Sequence, residues 1–207
     1  MKALILVDIQ NDFLPGGALA VPDGDQVIAP ANALIDRGRF DLIVATQDWH
    51  PRDHGSFAAN HPGKKIYDKI DLNGLPQTLW PVHCVQHTRG AELSETLRRN
   101  RIGRVFQKGT DPRIDSYSGF YDNGHRKSTG LADYLKAQGA DEVFVCGLAT
   151  DYCVNFTALD ARQLGFKTTL IEDACRGVNI HPNDSADAIE AMRREGVSVV
   201  SSASLIA

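Results

Sequence analysis

Two hydrophobic patterns alternate along the chain. Short apolar runs without polar alternation occur at KALILVD (2–8), FDLIVATQD (40–48), RVFQKG (104–109), DEVFVCG (141–147), FKTTLIEDA (166–174) and VSVVSS (197–202). Such runs read as strands covered on both faces. Between them lie segments of helical character: DQVIAPANALIDRG (25–38), AELSETLRRN (91–100), STGLADYLKAQG (128–139), DYCVNFTALDARQLG (151–165) and PNDSADAIEAMRREG (182–196). Pro30 must lie in the first turn of its helix or kink it. The Ser/Thr start and Gly end of 128–139, and the proline opening 182–196, are helix boundary signals. Strands interleaved with helices predict an α/β protein: a three-layer, doubly wound sheet of six parallel strands with helices on both faces. No linker, repeat or low-complexity tract interrupts the pattern, so residues 1–207 are expected to form a single domain.

Two stretches, 49–90 and 110–127, break the alternation and are too long for plain connections. They carry DWHPRDH, LWPVHC and DSYSGFYDNG, which are aromatic, histidine-rich and turn-rich, so order is expected there. In open parallel sheets, ligands bind at the carboxyl ends of the strands near a reversal of strand order. Here the first strand ends in Asp8, the second in Asp48 and the third in Lys108, and the fourth leads into the turn carrying Cys153. These groups are expected on one edge of the sheet.

Composition narrows the class of function. The chain has 207 residues, 43% hydrophobic and 23% charged, and a net charge of −4, which gives no support for nucleic-acid or membrane binding. Its one basic cluster, Arg98, Arg99, Arg101 and Arg104, is expected at a solvated helix C-terminus. The opening MKALILVD is too short for a secretory leader, and no apolar run reaches membrane-span length. Cys84, Cys146, Cys153 and Cys175 lack CxxC spacing, so reduced thiols in a cytoplasmic protein are expected.

The candidate chemistry begins with Cys153. An ordinary thiol, with pKa about 8.5, is only ~3% thiolate at neutral pH. A helix start and a nearby ammonium favour the thiolate; a packed, unreactive cysteine is the alternative. Cys146 and Cys175 have no such setting and read as core. Asp8 can take a thiol proton and return it to a leaving group, or serve only as a turn residue. Lys108 can stabilise the thiolate, or only snorkel from a strand end. Independently, Asp48, His50 and His54 with His83 supply a carboxylate and three imidazoles, a set that suits one divalent ion such as Zn, Fe or Mn. Asp53 and Cys84 are competing ligands, whereas His61, His87, His125 and His181 have no partner spacing. Phe13, Trp49, Trp80 and Tyr117 are candidates to line a pocket for a flat ligand, and GLAT (147–150) offers backbone N–H groups suited to an oxyanion. No GxGxxG or P-loop pattern points to a nucleotide.

Taken together, LILVDIQNDFLPGGALAVPDGD, ATQDWHPRDHGSFA, WPVHCVQHTRGAEL, FQKGTD with DSYSGFYDN, and CGLATDYCVNFTALDA resemble the nicotinamidases of the isochorismatase-like cysteine hydrolase superfamily. The likeness spans nearly the whole chain, in order. It implies a catalytic set of Asp8, Lys108 and Cys153, with an oxyanion hole at the N–H groups of Ala149 and Cys153 and a cis peptide between Leu148 and Ala149. It further implies a metal held by Asp48, His50, His54 and His83, and ring contacts from Phe13, Trp80 and Tyr117. The implied reaction is hydrolysis of nicotinamide to nicotinate and ammonia through a cysteine thioester in NAD salvage, with pyrazinamide as a close analogue. The implied partner is a small aromatic amide, with the protein a monomer or homo-oligomer. Ureido or carbamoyl amidohydrolases share the Asp–Lys–Cys set but are not expected to show this metal pattern. A non-catalytic metal-binding or thiol-redox module leaves the Asp8, Lys108 and Cys153 convergence unexplained.

Overall fold

The order of the strands follows from where the first of them lies. In a computed structural model that describes residues 1–206, β1 (Lys2–Val7) occupies the centre of the sheet, and Ala3 to Val7 are completely buried. After it come α1 (Ile28–Arg37), β2 (Leu42–Asp48), β3 (Lys69–Leu72), β4 (Leu75–Thr78) and β5 (Arg104–Lys108). The second half contains α2 (Leu131–Ala137), β6 (Glu142–Leu148), α3 (Asn155–Gln163), β7 (Lys167–Arg176), α4 (Asp184–Arg194) and β8 (Ser198–Val200). The main sheet has six strands in the order β5-β2-β1-β6-β7-β8, and every neighbouring pair is parallel. Right-handed crossovers carry α1 to one face and α2, α3 and α4 to the other. The direction of winding reverses between β1 and β6, which makes that junction the switch point. This is the expected six-stranded, doubly wound architecture. Among the described residues, no helix is long and apolar enough to cross a membrane.

One predicted helix is absent. Residues 91–100 form no α-helix; short 3-10 turns at Arg89–Ala91 and Arg99–Arg101 flank an irregular segment. Leu93 and Leu97 are both buried, and their spacing of four imitates a helical stripe. The backbone, however, is bonded elsewhere. Asn11 N–H donates to Glu92 O at 3.0 Å, Ser94 N–H to Ile9 O at 2.9 Å, and Leu93 pairs with Gln10. The arginines therefore do not sit at a helix end. Arg98 pairs with Asp36 at 2.8 Å and its N–H donates to Asn32, while Arg101 donates to the carbonyl of Ile35, so the cluster sews this segment onto α1.

The structure also holds an unanticipated hairpin, β3 with β4, inside the first irregular stretch. Its two-residue turn is Asn73-Gly74, with φ of 56° and 84°. Both residues lie in the left-handed region, as the favoured hairpin turn requires.

Candidate active site

The carboxyl ends of β1, β2 and β5 and the entry to α3 converge on one ammonium group. Lys108 ends β5 and pairs in register with Asp48 at the end of β2. Its Nζ lies 2.5 Å from Asp48 Oδ1, 2.9 Å from Asp8 Oδ2, 2.8 Å from the carbonyl of Ser116 and 3.3 Å from Cys153 Sγ. Asp8 leaves β1 with a positive φ of 47°, a conformation that aspartate tolerates better than most residues, and its Oδ1 accepts the hydroxyl of Thr46 at 2.6 Å. All four groups are buried, and Asp8 and Lys108 almost completely. Such a cluster persists only because its charges face one another.

Burial opposes the charge on Lys108, but Asp48 and Asp8 outweigh it and hold the ammonium well above its ordinary pKa. Burial pushes Asp8 up and Lys108 only partly pulls it back; Asp48, closer to Lys108 and facing His50, is held far below the carboxylate range despite burial. The Cys153 thiol is pushed up by burial and by both carboxylates, with Lys108 acting the other way. One cation thus faces three acidic groups. It balances Asp48, and the upward shifts of Asp8 and Cys153 favour a proton kept between these two. The resting Cys153 is therefore a thiol whose proton has an acceptor nearby, rather than a standing thiolate.

Cys153 lies in a π-helical turn, Thr150–Val154, that opens α3. Ala149 precedes this turn in extended conformation, and the peptide bond between Leu148 and Ala149 is cis. First-turn N–H groups of a helix lack intrahelical partners and suit an oxyanion.

The histidines form a second corner of the same site. His50, His54 and His83 are buried, with ring centroids 4.4 Å apart for His50 and His54 and 5.1 Å for His50 and His83. Asp48 is shared: while Oδ1 meets Lys108, Oδ2 lies 3.6 Å from His50 Nε2 and 4.0 Å from His83 Nε2. The carbonyls of Gly109 and Pro81 accept from Nδ1 of His50 and His83 at 2.8 and 2.7 Å, which leaves each Nε2 lone pair free. Burial first, and then His50, lowers His54 and His83 to about 4, so both are neutral imidazoles near pH 7. Burial lowers His50 too, but Asp48 more than reverses this and raises it. His54 Nε2 is buried without a hydrogen-bond partner. The ligand atoms fall into two groups that share His50, one with Asp48 and His83 and one with His54 and Asp115; these donors, with His54 Nε2 orphaned, fit a divalent cation. Asp53 is exposed, and the Cys84 thiol belongs to none of the three candidate ligand clusters among the described residues, so neither residue competes.

A pocket joins the two corners. Phe13, Trp80 and Tyr117 line it together with Cys153, His50 and His83. Trp80 Nε1 donates to the Tyr117 hydroxyl at 3.1 Å, which orients both rings. Trp49 instead packs against His87, at 5.2 Å between centroids.

Four participants escape the sequence reading. Tyr152 and Val178 complete the pocket wall. Asp115 is buried with a ligand atom near those of His50 and His54, and those histidines help hold its carboxyl below the ordinary value against burial. Gln10 accepts the N–H of Asp48 at 2.8 Å and donates to its carbonyl at 2.8 Å and to Ala91 O at 2.7 Å. It thereby fixes the backbone on both sides of the shared carboxylate. The only signal for Gln10 was its place two residues after Asp8, and for Asp115 its place in the irregular DSYSG stretch.

The chain is similar to known proteins along nearly its whole length. The nicotinamidase of Escherichia coli strain K12 is 54% identical over 200 residues, covering 96% of this chain and 93% of its own. A crystal structure from L. infantum in complex with nicotinate superposes with a TM-score of 0.87 at 39% identity, covering 100% of this chain and 95% of that one. The pyrazinamidase of Pyrococcus horikoshii in complex with zinc gives a TM-score of 0.78 at 40% identity, covering 97% and 98%. The Isochorismatase domain matches residues 2–204, and the chain belongs to the isochorismatase family.

Proposed function

We propose that this chain is a nicotinamidase, an amide hydrolase converting nicotinamide to nicotinate and ammonia, with pyrazinamide as an alternative substrate. The observation that carries this reading is Lys108 Nζ, which meets Asp8, Asp48 and Cys153, two of them (Asp48 and Cys153) lining a pocket together with the imidazoles of His50 and His83. The chain acts as one domain over 1–207, in cytoplasmic NAD salvage.

Asp8 accepts the Cys153 proton as the sulfur attacks the carboxamide carbon, and Lys108 steadies the negative charge that remains. The N–H groups of Ala149 and Cys153 face the developing oxyanion. Asp8 passes its proton to the departing nitrogen, ammonia leaves, and an acyl thioester remains on Cys153. Asp8 then takes a proton from water as the water oxygen attacks the thioester; the C–S bond breaks, nicotinate is released and the thiol is restored. Asp48, His50, His54 and His83 would hold a divalent ion (zinc, iron or manganese), which when bound would supply a Lewis acid for the ring nitrogen of the substrate. Phe13, Trp80 and Tyr117 enclose the ring.

Ammonia release from nicotinamide, measured on metal-replete protein and again after exhaustive chelation, tests the assignment. Activity that falls on chelation and returns with added zinc, iron or manganese supports both the reaction and the ring-anchoring ion. Activity unchanged after verified metal removal discards the ion's role. No ammonia from the replete protein, with release from carbamoyl or ureido substrates, overturns the substrate.

A further inference from the structure

Val178 belongs to the pocket wall, yet it comes from the irregular connection between β7 and α4. Its position is set by one side chain. Asp151 Oδ1 accepts the N–H of Val178 at 2.9 Å, and Asp151 Oδ2 accepts the N–H of Asn179 at 2.7 Å. Asn179, at φ 51°, in turn accepts the N–H of Ser185 in the first turn of α4 at 3.0 Å. Gly177 precedes Val178 and lies close against α4, since a Cβ there would collide with Ser185 Oγ. Asp151 lies in the same turn as Cys153 and Tyr152, and the Tyr152 ring packs against Trp80 at 4.8 Å. The nucleophile, one aromatic wall and the anchor of Val178 therefore share a single turn.

We infer that Asp151 is a positioning residue that sets the size limit of the ring pocket through Val178, confining the enzyme to carboxamides of single six-membered rings. This inference rests on the nicotinamidase reading. Two parallel N–H groups require two acceptor oxygens, which a carboxylate supplies and a side-chain amide does not, since the NH2 of asparagine faces an N–H with another donor. Releasing the strap moves an apolar wall by a fraction of a ring width and so changes discrimination by size more than it changes the chemistry.

The test compares wild type, Asp151→Asn and Val178→Ala. For each, kcat and KM are measured with nicotinamide and with quinoline-3-carboxamide, and amide hydrogen exchange is followed at Val178 and Asn179. In Asp151→Asn, exchange at these two amides is expected to accelerate at least about tenfold. Its KM for nicotinamide is expected to rise several-fold with kcat within about twofold, and the bicyclic-to-monocyclic ratio of kcat/KM to rise about tenfold. Val178→Ala is expected to raise the same ratio without loosening Asn179. Unchanged exchange in Asp151→Asn overturns the anchor, and an unchanged ratio in either variant overturns the size limit. Should Asp151→Asn not fold, Val178→Ala still decides the size limit. A wild-type protein that hydrolyses neither amide overturns the substrate reading itself, an outcome distinct from an active enzyme whose ratio does not move.

Discussion

The Lys108 corner and the histidine corner share one pocket and one carboxylate but are assembled in opposite ways. Asp8, Asp48 and Lys108 stand on the ends of adjacent sheet strands, and their burial is tolerated through mutual ion pairing. The histidines come from the irregular stretch 49–90; backbone carbonyls orient His50 and His83, and burial keeps His54 and His83 neutral. The first corner is held by charge and the second by the avoidance of charge. Disturbances that ruin one are accordingly expected to act differently on the other.

The largest effect is expected at the nucleophile. On the proposed mechanism Cys153→Ala removes the group that forms the acyl intermediate, so ammonia release should fall by about 10^4-fold or more, as for other covalent catalysts. Its melting temperature should change little, because a small buried side chain is replaced by one nearly its size. Residual turnover within tenfold of wild type rejects covalent catalysis. Next comes Lys108→Met, which leaves two buried carboxylates facing each other without a cation. Loss of one partner from a buried ionic cluster costs about 3–5 kcal/mol, so denaturant unfolding should show a loss of that order together with loss of activity. A Lys108→Met protein of wild-type stability would show that the first corner is not held by charge.

The smaller effect distinguishes the corners by acid. In the metal-free protein, His54 and His83 titrate at about 4, below their ordinary 6.5. The unfolded chain therefore binds protons that the folded one refuses, and stability decreases as pH falls from about 6.5 toward 4. Thermal melts across that window should show the decline in wild type and a shallower decline in His83→Phe. Equal slopes would remove the histidine corner from the acid response.

How much of this was legible follows from the distance over which each residue finds its partners. Asp8, Asp48 and Lys108 terminate runs whose continuous apolarity marks buried parallel strands, and the sheet brings such ends together by topology alone. The hairpin at Asn73-Gly74 carried a local turn signal that went unread. Leu93 and Leu97 misled because a spacing of four is the same whether it lines a helix or a segment pinned by outside hydrogen bonds. Gln10 and Asp151 gain their significance from partners 38 and 27 residues away, through atoms whose approach no periodicity encodes. Cys153 was correctly placed at a helix start, but its protonation depends on three buried neighbours counted together, and the resting thiol follows from that count.

The central position of β1 has a consequence for biosynthesis. One edge of β1 pairs with β2, which follows closely in the chain, whereas the other pairs with β6, whose last residue is Leu148. A ribosome adding about 5–20 residues per second needs roughly 5–20 s to pass from the end of β2 to the end of β6. Throughout that interval the most apolar strand of the nascent chain offers an open row of N–H and C=O groups to any extended segment nearby. The placement that puts Asp8 at the switch point thus makes β1 the strand most dependent on protection from aggregation before synthesis is complete.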